Sequence, residues 1–236
     1  LKGANTFTGT TTARLGTLTL DYSASDTSKL DDASALIFNA GAVSLAGGTH
    51  AEVVASTTLA AGSANSVSRA SGTALIHLNT ITVGAGSTLN RGAASIWNTD
   101  NTDTNGILGP WATVGNDCGG NSADGADGAI TAYSTYTLSS VAGTSAGNYA
   151  NNHISVDANQ TLDGGITPHS LRFDTAGART LTLQGANTLG NGAILVGTTV
   201  GNNASAITGG SLTGAPSGDF VIHQRNTANS LSIGST

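Results

Sequence analysis

Leu1-Lys2-Gly3-Ala4-Asn5-Thr6-Phe7 is repeated far downstream as Leu183-Gln184-Gly185-Ala186-Asn187-Thr188-Leu189. Each copy holds a Gly-Ala-Asn-Thr corner near an alternating Leu/Thr run. These runs are Thr17-Leu18-Thr19-Leu20 after the first corner and Thr180-Leu181-Thr182-Leu183 before the second. Leu on one side and Thr on the other is the pattern of a half-buried strand. Self-similarity at a distance is the mark of stacked repeats.

Outward from these copies, short strand candidates recur between Gly, Asn, Ser and Asp corners. They fall at 17–20, 35–38, 42–45, 52–55, 74–78, 80–83 and 95–98. After a loop-rich gap come 130–133, 136–139, 154–156, 160–162, 170–173, 180–183, 193–196, 220–223 and 231–233. Many short strands fit a sandwich, a barrel or a solenoid. The solenoid is favoured by the recurring motif, the short strands and the scarcity of Asn-Gly hairpin pairs, present only at Asn105-Gly106 and Asn191-Gly192. The expected fold is all-β: a parallel β-solenoid with one long loop excursion. Its rungs would be about 20–25 residues long and stack at about 4.8 Å.

Composition narrows the function. Only 9% of the 236 residues are charged, against about 25% in ordinary domains. Glu occurs once, at Glu52, and Met is absent, so long amphipathic helices are not expected. Aromatics make up 4%, so the core must be built from Leu, Ile, Val and Ala. Eight Lys and Arg are scattered singly against a net charge of −6, which leaves no basic patch for nucleic acid. Cys118 is the single cysteine and excludes an internal disulfide framework. No run of 18 apolar residues offers a membrane-spanning helix. No leader pattern is visible, and the chain is expected to start in mid-rung and to be a piece of something longer.

The segments LKGANTFTGTTT…LGTLTL and RTLTLQGANTLGNGAILVG resemble the autotransporter-associated β-strand repeat. The resemblance implies passenger-like or giant surface proteins of environmental bacteria, built as right-handed parallel β-helices. Residues 1–20 follow the pattern well. Residues 179–196 depart from it, with Leu189 in place of the aromatic and Gly190 in place of Thr. The middle of the chain resembles the spacers between such repeats. An extracellular or cell-surface location is therefore expected. The expected organisation is solenoid rungs over 1–94, an irregular insertion over 95–131 and further rungs over 132–236, as one continuous domain.

No catalytic constellation stands out. The insertion holds Trp97, Trp111, Pro110, Cys118 and five Asp, and long loops are a usual place for function. Asn101, Asp103 and Asn105 echo the first half of a calcium loop, with Gly106 for the turn. The twelfth position is Ala112, where a bidentate Glu belongs. Plain turn capping by Asp and Asn explains the same pattern. Trp97 and Trp111 suggest a stacking platform for surface glycans, or else covers of the core. Asp31 and Asp32 are adjacent, would point to opposite faces of a strand and read better as a polar turn. The five His are isolated in sequence. Thr-x-Thr pairs raise an ice-binding face, although Thr is an ordinary strand residue.

The expected function is a structural module: a fibre, stalk or adhesin repeat without enzymatic activity. It would assemble end to end through terminal strands, with its own copies or with adjacent repeats of a longer chain. The residues expected to carry that contact are Leu1, Gly3, Asn5, Phe7, Phe220, Ile222, Leu231 and Ile233. The alternative is a β-helix that binds or cleaves polysaccharide.

Overall fold

Side chains that alternate along a strand can bury one face only if the next turn of chain stacks beside it. The computed structural model shows this solution over the residues it describes, 1–92, 96–215 and 218–235. These fall into two compact units, residues 1–115 with 119–132 and residues 116–118 with 133–236. Nearly all regular structure is β, and the strands stack in parallel as a β-solenoid.

The first unit has three sides. One side stacks Thr11–Arg14, Ala35–Asn39, Ser56–Leu59 and Ile81–Val83. The second stacks Thr17–Asp21, Ala42–Ala46, Ala64–Arg69, Thr88–Arg91 and Ala112–Val114. The third stacks Ala51–Val53, Leu75–His77 and Trp97–Thr99. Thr11 lies against Leu36, Ala42 against Ser66 and Ala64 against Thr88, so these turns are nearly equal in length. Leu20, Leu36, Val43, Leu45, Leu59, Val67 and Leu89 point inward and are fully buried.

The third side does not end on an open strand. Trp97–Thr99 pairs antiparallel with Gly128–Ala132, which pairs antiparallel with Asp117–Asn121. A hairpin thus covers an edge that would otherwise offer unpaired N–H and C=O groups. The stretch expected to be irregular contains these strands and Ala112–Val114. The boundary at 94/95 and the Ser95 end of the 95–98 strand lie outside the described residues.

The second unit stacks Thr137–Leu138, His153–Ser155, Ser170–Phe173, Ala193–Val196 and Val221–Gln224 on one side. Another side stacks Gln160–Thr161, Arg179–Thr182, Ser205–Thr208 and Leu231–Gly234, and a third pairs Ala186–Leu189 with Ser211–Gly214. Its turns are uneven: the one that brings His153 against Ser170 is short, and the one that brings Ala193 against Val221 is long. The expected strand at 136–139 is only Thr137–Leu138, followed by a one-turn helix, Ser139–Ala142.

Several strands escape a reading based on Leu, Ile and Val. In Ser56–Leu59 the inward positions are Thr57 and Leu59, and in Ala64–Arg69 they are Asn65 and Val67. Thr57 donates its hydroxyl to the Leu78 carbonyl at 2.8 Å, which lets a polar side chain occupy a core position.

Candidate functional site

The corner asparagines show how turns are held in register. Asn187 accepts the Ile166 N–H at Oδ1, at 2.9 Å, from the turn before. Its Nδ2 donates to the Ser211 carbonyl at 2.7 Å, in the turn after. Asn65 does the same, accepting from Gly41 N–H at 3.3 Å and donating to the Thr88 carbonyl at 3.1 Å. Both are nearly fully buried. One amide side chain carries a donor and an acceptor on opposite edges, so it can clip three consecutive turns together.

Asn5 occupies the same place in the first copy of the motif. Its Nδ2 donates to the Lys29 carbonyl at 3.1 Å, in the turn after. Leu1 is laddered onto the second side of the first unit. Its amino group donates to the Thr19 carbonyl at 2.6 Å, and the Asp21 N–H donates to its carbonyl at 2.8 Å. Lys2 adds an ion pair with Asp21 at 3.6 Å. Gly3 is exposed, with nothing near the place a Cβ would take. Leu1 is 39% exposed and Phe7 42% exposed.

The peptide that Asn5 grips is held by a group that sequence reasoning left aside. Glu52 is fully buried and accepts four hydrogen bonds. Tyr22 Oη donates to Oε2 at 2.6 Å and Ser28 Oγ to Oε1 at 2.7 Å. The N–H groups of Lys29 and Leu30 donate at 2.8 and 2.9 Å. Burial, with the bond to Glu52, pushes the Tyr22 phenol well above its ordinary range. Lys29 is also buried, its ammonium 2.7 Å from the Ser25 carbonyl and 5.2 Å from the Tyr22 ring centre. The wide corner from Tyr22 to Ser34 is thereby fixed by the neighbouring turn. The only Glu of the chain, at an inward strand position, is the sequence signal for it.

The far end of the second unit presents Val221–Gln224 and Leu231–Gly234. The first pairs with Ala193–Val196 and the second with Ser205–Thr208, each on one side. Phe220, Ile222 and Ile233 are 40%, 44% and 38% exposed, and Leu231 is half-buried.

The other expected site residues have structural surroundings. Asn101 Oδ1 accepts the Ile81 N–H at 2.7 Å, and its Nδ2 returns a bond to the Ile81 carbonyl at 2.9 Å. Both Asp103 oxygens accept the Asn121 N–H, and burial raises the Asp103 carboxyl above its usual value. Asn105 sits at φ 58° in a tight turn. Among the described residues, no three His, Cys, Asp or Glu stand together as metal ligands. Trp97 is completely buried and Trp111 is 8% exposed with its indole N–H on the Leu108 carbonyl. Neither ring offers a face to a sugar, so the platform expected there is replaced by core packing. Asp31 and Asp32 lie in the polar turn, with Asp31 accepting the Ala33 N–H. The outward column Thr12, Ile37, Thr58, Thr82 breaks a regular Thr face. In the second unit Cys118 is buried, and Arg172 pairs with Asp117 while lying 3.9 Å over the Tyr136 ring.

Comparison with known proteins adds one relative. The chain resembles an autotransporter adhesin. It is 36% identical over 160 residues to "Adhesin BmaC autotransporter" of Brucella suis biovar 1 (strain 1330). The match takes in 57% of this chain and 4% of that adhesin, so the chain spans a small fraction of its relative's length. No family model and no solved structure matches.

Proposed function

We propose that this chain is a structural β-solenoid module of an extracellular or cell-surface adhesin or stalk, and that its terminal turns join it end to end to further turns. The role is mechanical rather than catalytic. Each interior backbone group bonds to the turns beside it, which resists pulling and proteolysis.

The observation that carries the reading is where the exposed large apolar side chains lie. Among the described residues of the first unit they are Leu1, Phe7 and Leu15, all on its first turn. In the second unit they are Leu138 and Val141 at its first turn and Phe220, Ile222 and Ile233 at its last. Among the described residues, inner turns expose none. Monomeric surfaces rarely gather such side chains without a partner. The adhesin relative supports the location and the class.

Sedimentation velocity over a concentration series, with electron microscopy of the same samples, tests the proposal. The expected result is concentration-dependent growth into filaments with a stacking repeat of about 4.8 Å. A monodisperse monomer at every concentration would count against end-to-end joining. Protease protection of the chain on intact source cells would count against a surface location.

A further inference from the structure

Asn is followed by Gly at two places, Asn105-Gly106 and Asn191-Gly192. The fold gives these two pairs opposite surroundings. We infer that Asn105 is a site of spontaneous covalent modification, at which the side-chain amide closes on the Gly106 nitrogen to a succinimide that opens to aspartate and isoaspartate, while Asn191 is protected from the same reaction. This stands apart from the end-to-end reading above.

The chemistry needs water and no other reactant. The Gly106 nitrogen attacks Asn105 Cγ. A bond forms between them, the Cγ–Nδ2 bond breaks, and the proton of the Gly106 N–H leaves with Nδ2 as ammonia. Water then opens the ring. Cleavage between the nitrogen and Cγ leaves aspartate, and cleavage between the nitrogen and the main-chain carbonyl carbon leaves isoaspartate. Glycine favours the attack because no Cβ stands beside the nucleophile.

Thr104 and Ile107 form an antiparallel bridge around the first pair. Asn105 at φ 58° and Gly106 at φ 83° are both left-handed, the backbone of a type I′ turn. Both residues are exposed. Among the described residues, the Gly106 N–H has no hydrogen-bond partner. The turn is closed by the Thr104 N–H on the Ile107 carbonyl at 2.7 Å and by a longer return bond at 3.4 Å. Ring closure requires Asn105 to rotate out of this conformation. Opening a short exposed turn costs far less than opening the core.

The second pair is buried, with Asn191 8% exposed. Its nucleophile is engaged, since the Gly192 N–H donates to the Leu189 carbonyl at 3.1 Å. The Asn191 N–H donates to the His169 carbonyl at 2.9 Å, and the Gly192 carbonyl accepts the Val221 N–H at 2.8 Å. A Cβ on Gly192 would collide with the Asp219 carbonyl oxygen. Rotation at Asn191 therefore means parting it from the turns on both sides.

The Asn105 turn also rests on the hairpin that covers the third side of the first unit. The Gly106 carbonyl oxygen and Asp103 Oδ2 lie 2.6 and 3.1 Å from the place a Cβ on Gly120 would take. Asp103 in turn accepts the Asn121 N–H. Isoaspartate lengthens the backbone of this turn and adds a negative charge two residues from Asp103. Modification is thus expected to loosen the hairpin.

Incubation of the full chain in mildly alkaline buffer, native and in denaturant, followed by peptide mapping with isoaspartate labelling, tests the inference. In the native chain, conversion at Asn105 is expected to outrun conversion at Asn191 by about tenfold or more, and in denaturant the two are expected to convert alike. Amide exchange at Asn121 is expected to be faster in the converted protein. A native chain that keeps Asn105 intact while the denatured chain converts it would overturn the inference, as would equal conversion at the two sites in the native chain. An Asn121 amide that exchanges alike before and after conversion would overturn the effect on the hairpin.

Discussion

The Gly-Ala-Asn-Thr corner occurs twice with the same sequence and different neighbours. At Asn187 a turn lies on either side, Ala186–Leu189 is a strand and Asn187 is 1% exposed. At Asn5 one turn is present, residues 4–7 form no strand and all of them are exposed. The residues specify the corner, and the neighbouring turn decides whether it becomes a strand. This is how β-propensity behaves in general: it reports a fit to a pleated, half-buried surface.

The largest effect expected from disturbing this contrast is at Glu52, which holds the peptide gripped by Asn5. Glu52→Ala leaves the buried N–H groups of Lys29 and Leu30 without their acceptor and is expected to cost on the order of 4 kcal/mol in chemical denaturation. A loss under about 1 kcal/mol would show that the corner is held by something else. Next is Asn187→Ala, expected to cost about 2–3 kcal/mol because it orphans groups in both neighbouring turns. Asn5→Ala is expected to cost about 1 kcal/mol or less, since a single part-buried bond is lost. Equal costs at the two corners would erase the contrast.

A smaller effect concerns acid. Asp26 is held below its usual 3.8 chiefly by the Thr49 hydroxyl and the Thr49 and His50 N–H groups. Burial works against Asp157, yet the Ser139 and Ser140 groups still hold its carboxyl low. Both carboxyls thus bind protons less readily when folded. Their stabilisation is present above 3.8 and is lost as pH falls through their lowered values. Asp103, raised by burial, has the opposite sign: its contribution favours the fold at low pH and is lost as pH rises through its raised value. Amide exchange followed as pH is lowered below 3.8 is expected to show the corners at Thr49–His50 and Ser139–Ser140 opening before the core strands. Simultaneous opening of everything would contradict it.

The sequence shows the coil plainly where Leu alternates with Thr, as at Leu18/Leu20 and Leu181, and the spacing of stacked partners in the first unit agrees with the expected rung length. Strands such as Ala64–Arg69 are hidden because Asn65 takes an inward place that hydrophobic patterning assigns to a Leu. Asn65 is tolerated there only because its hydrogen bonds reach into the turns on either side, a fact absent from any local window. Trp97 and Trp111 left two readings open, a glycan platform or covers of the core, and the second is the one the structure shows. Rare aromatics in a loop-rich stretch suggest a binding face, but here they fill the core beneath the hairpin of Asp117–Asn121 and Gly128–Ala132. Glu52 was visible as a lone residue type, and its four donors come from a corner whose fold only the tertiary structure defines.

Residue-resolved amide exchange across the two corners tests the central claim. Exchange is expected to be slow at Ile166 and Thr188, beside Asn187, and fast at Thr6 and Thr17, beside Asn5. Equal exchange at the two corners would show that a neighbouring turn does not decide whether the corner becomes a strand, and the account fails.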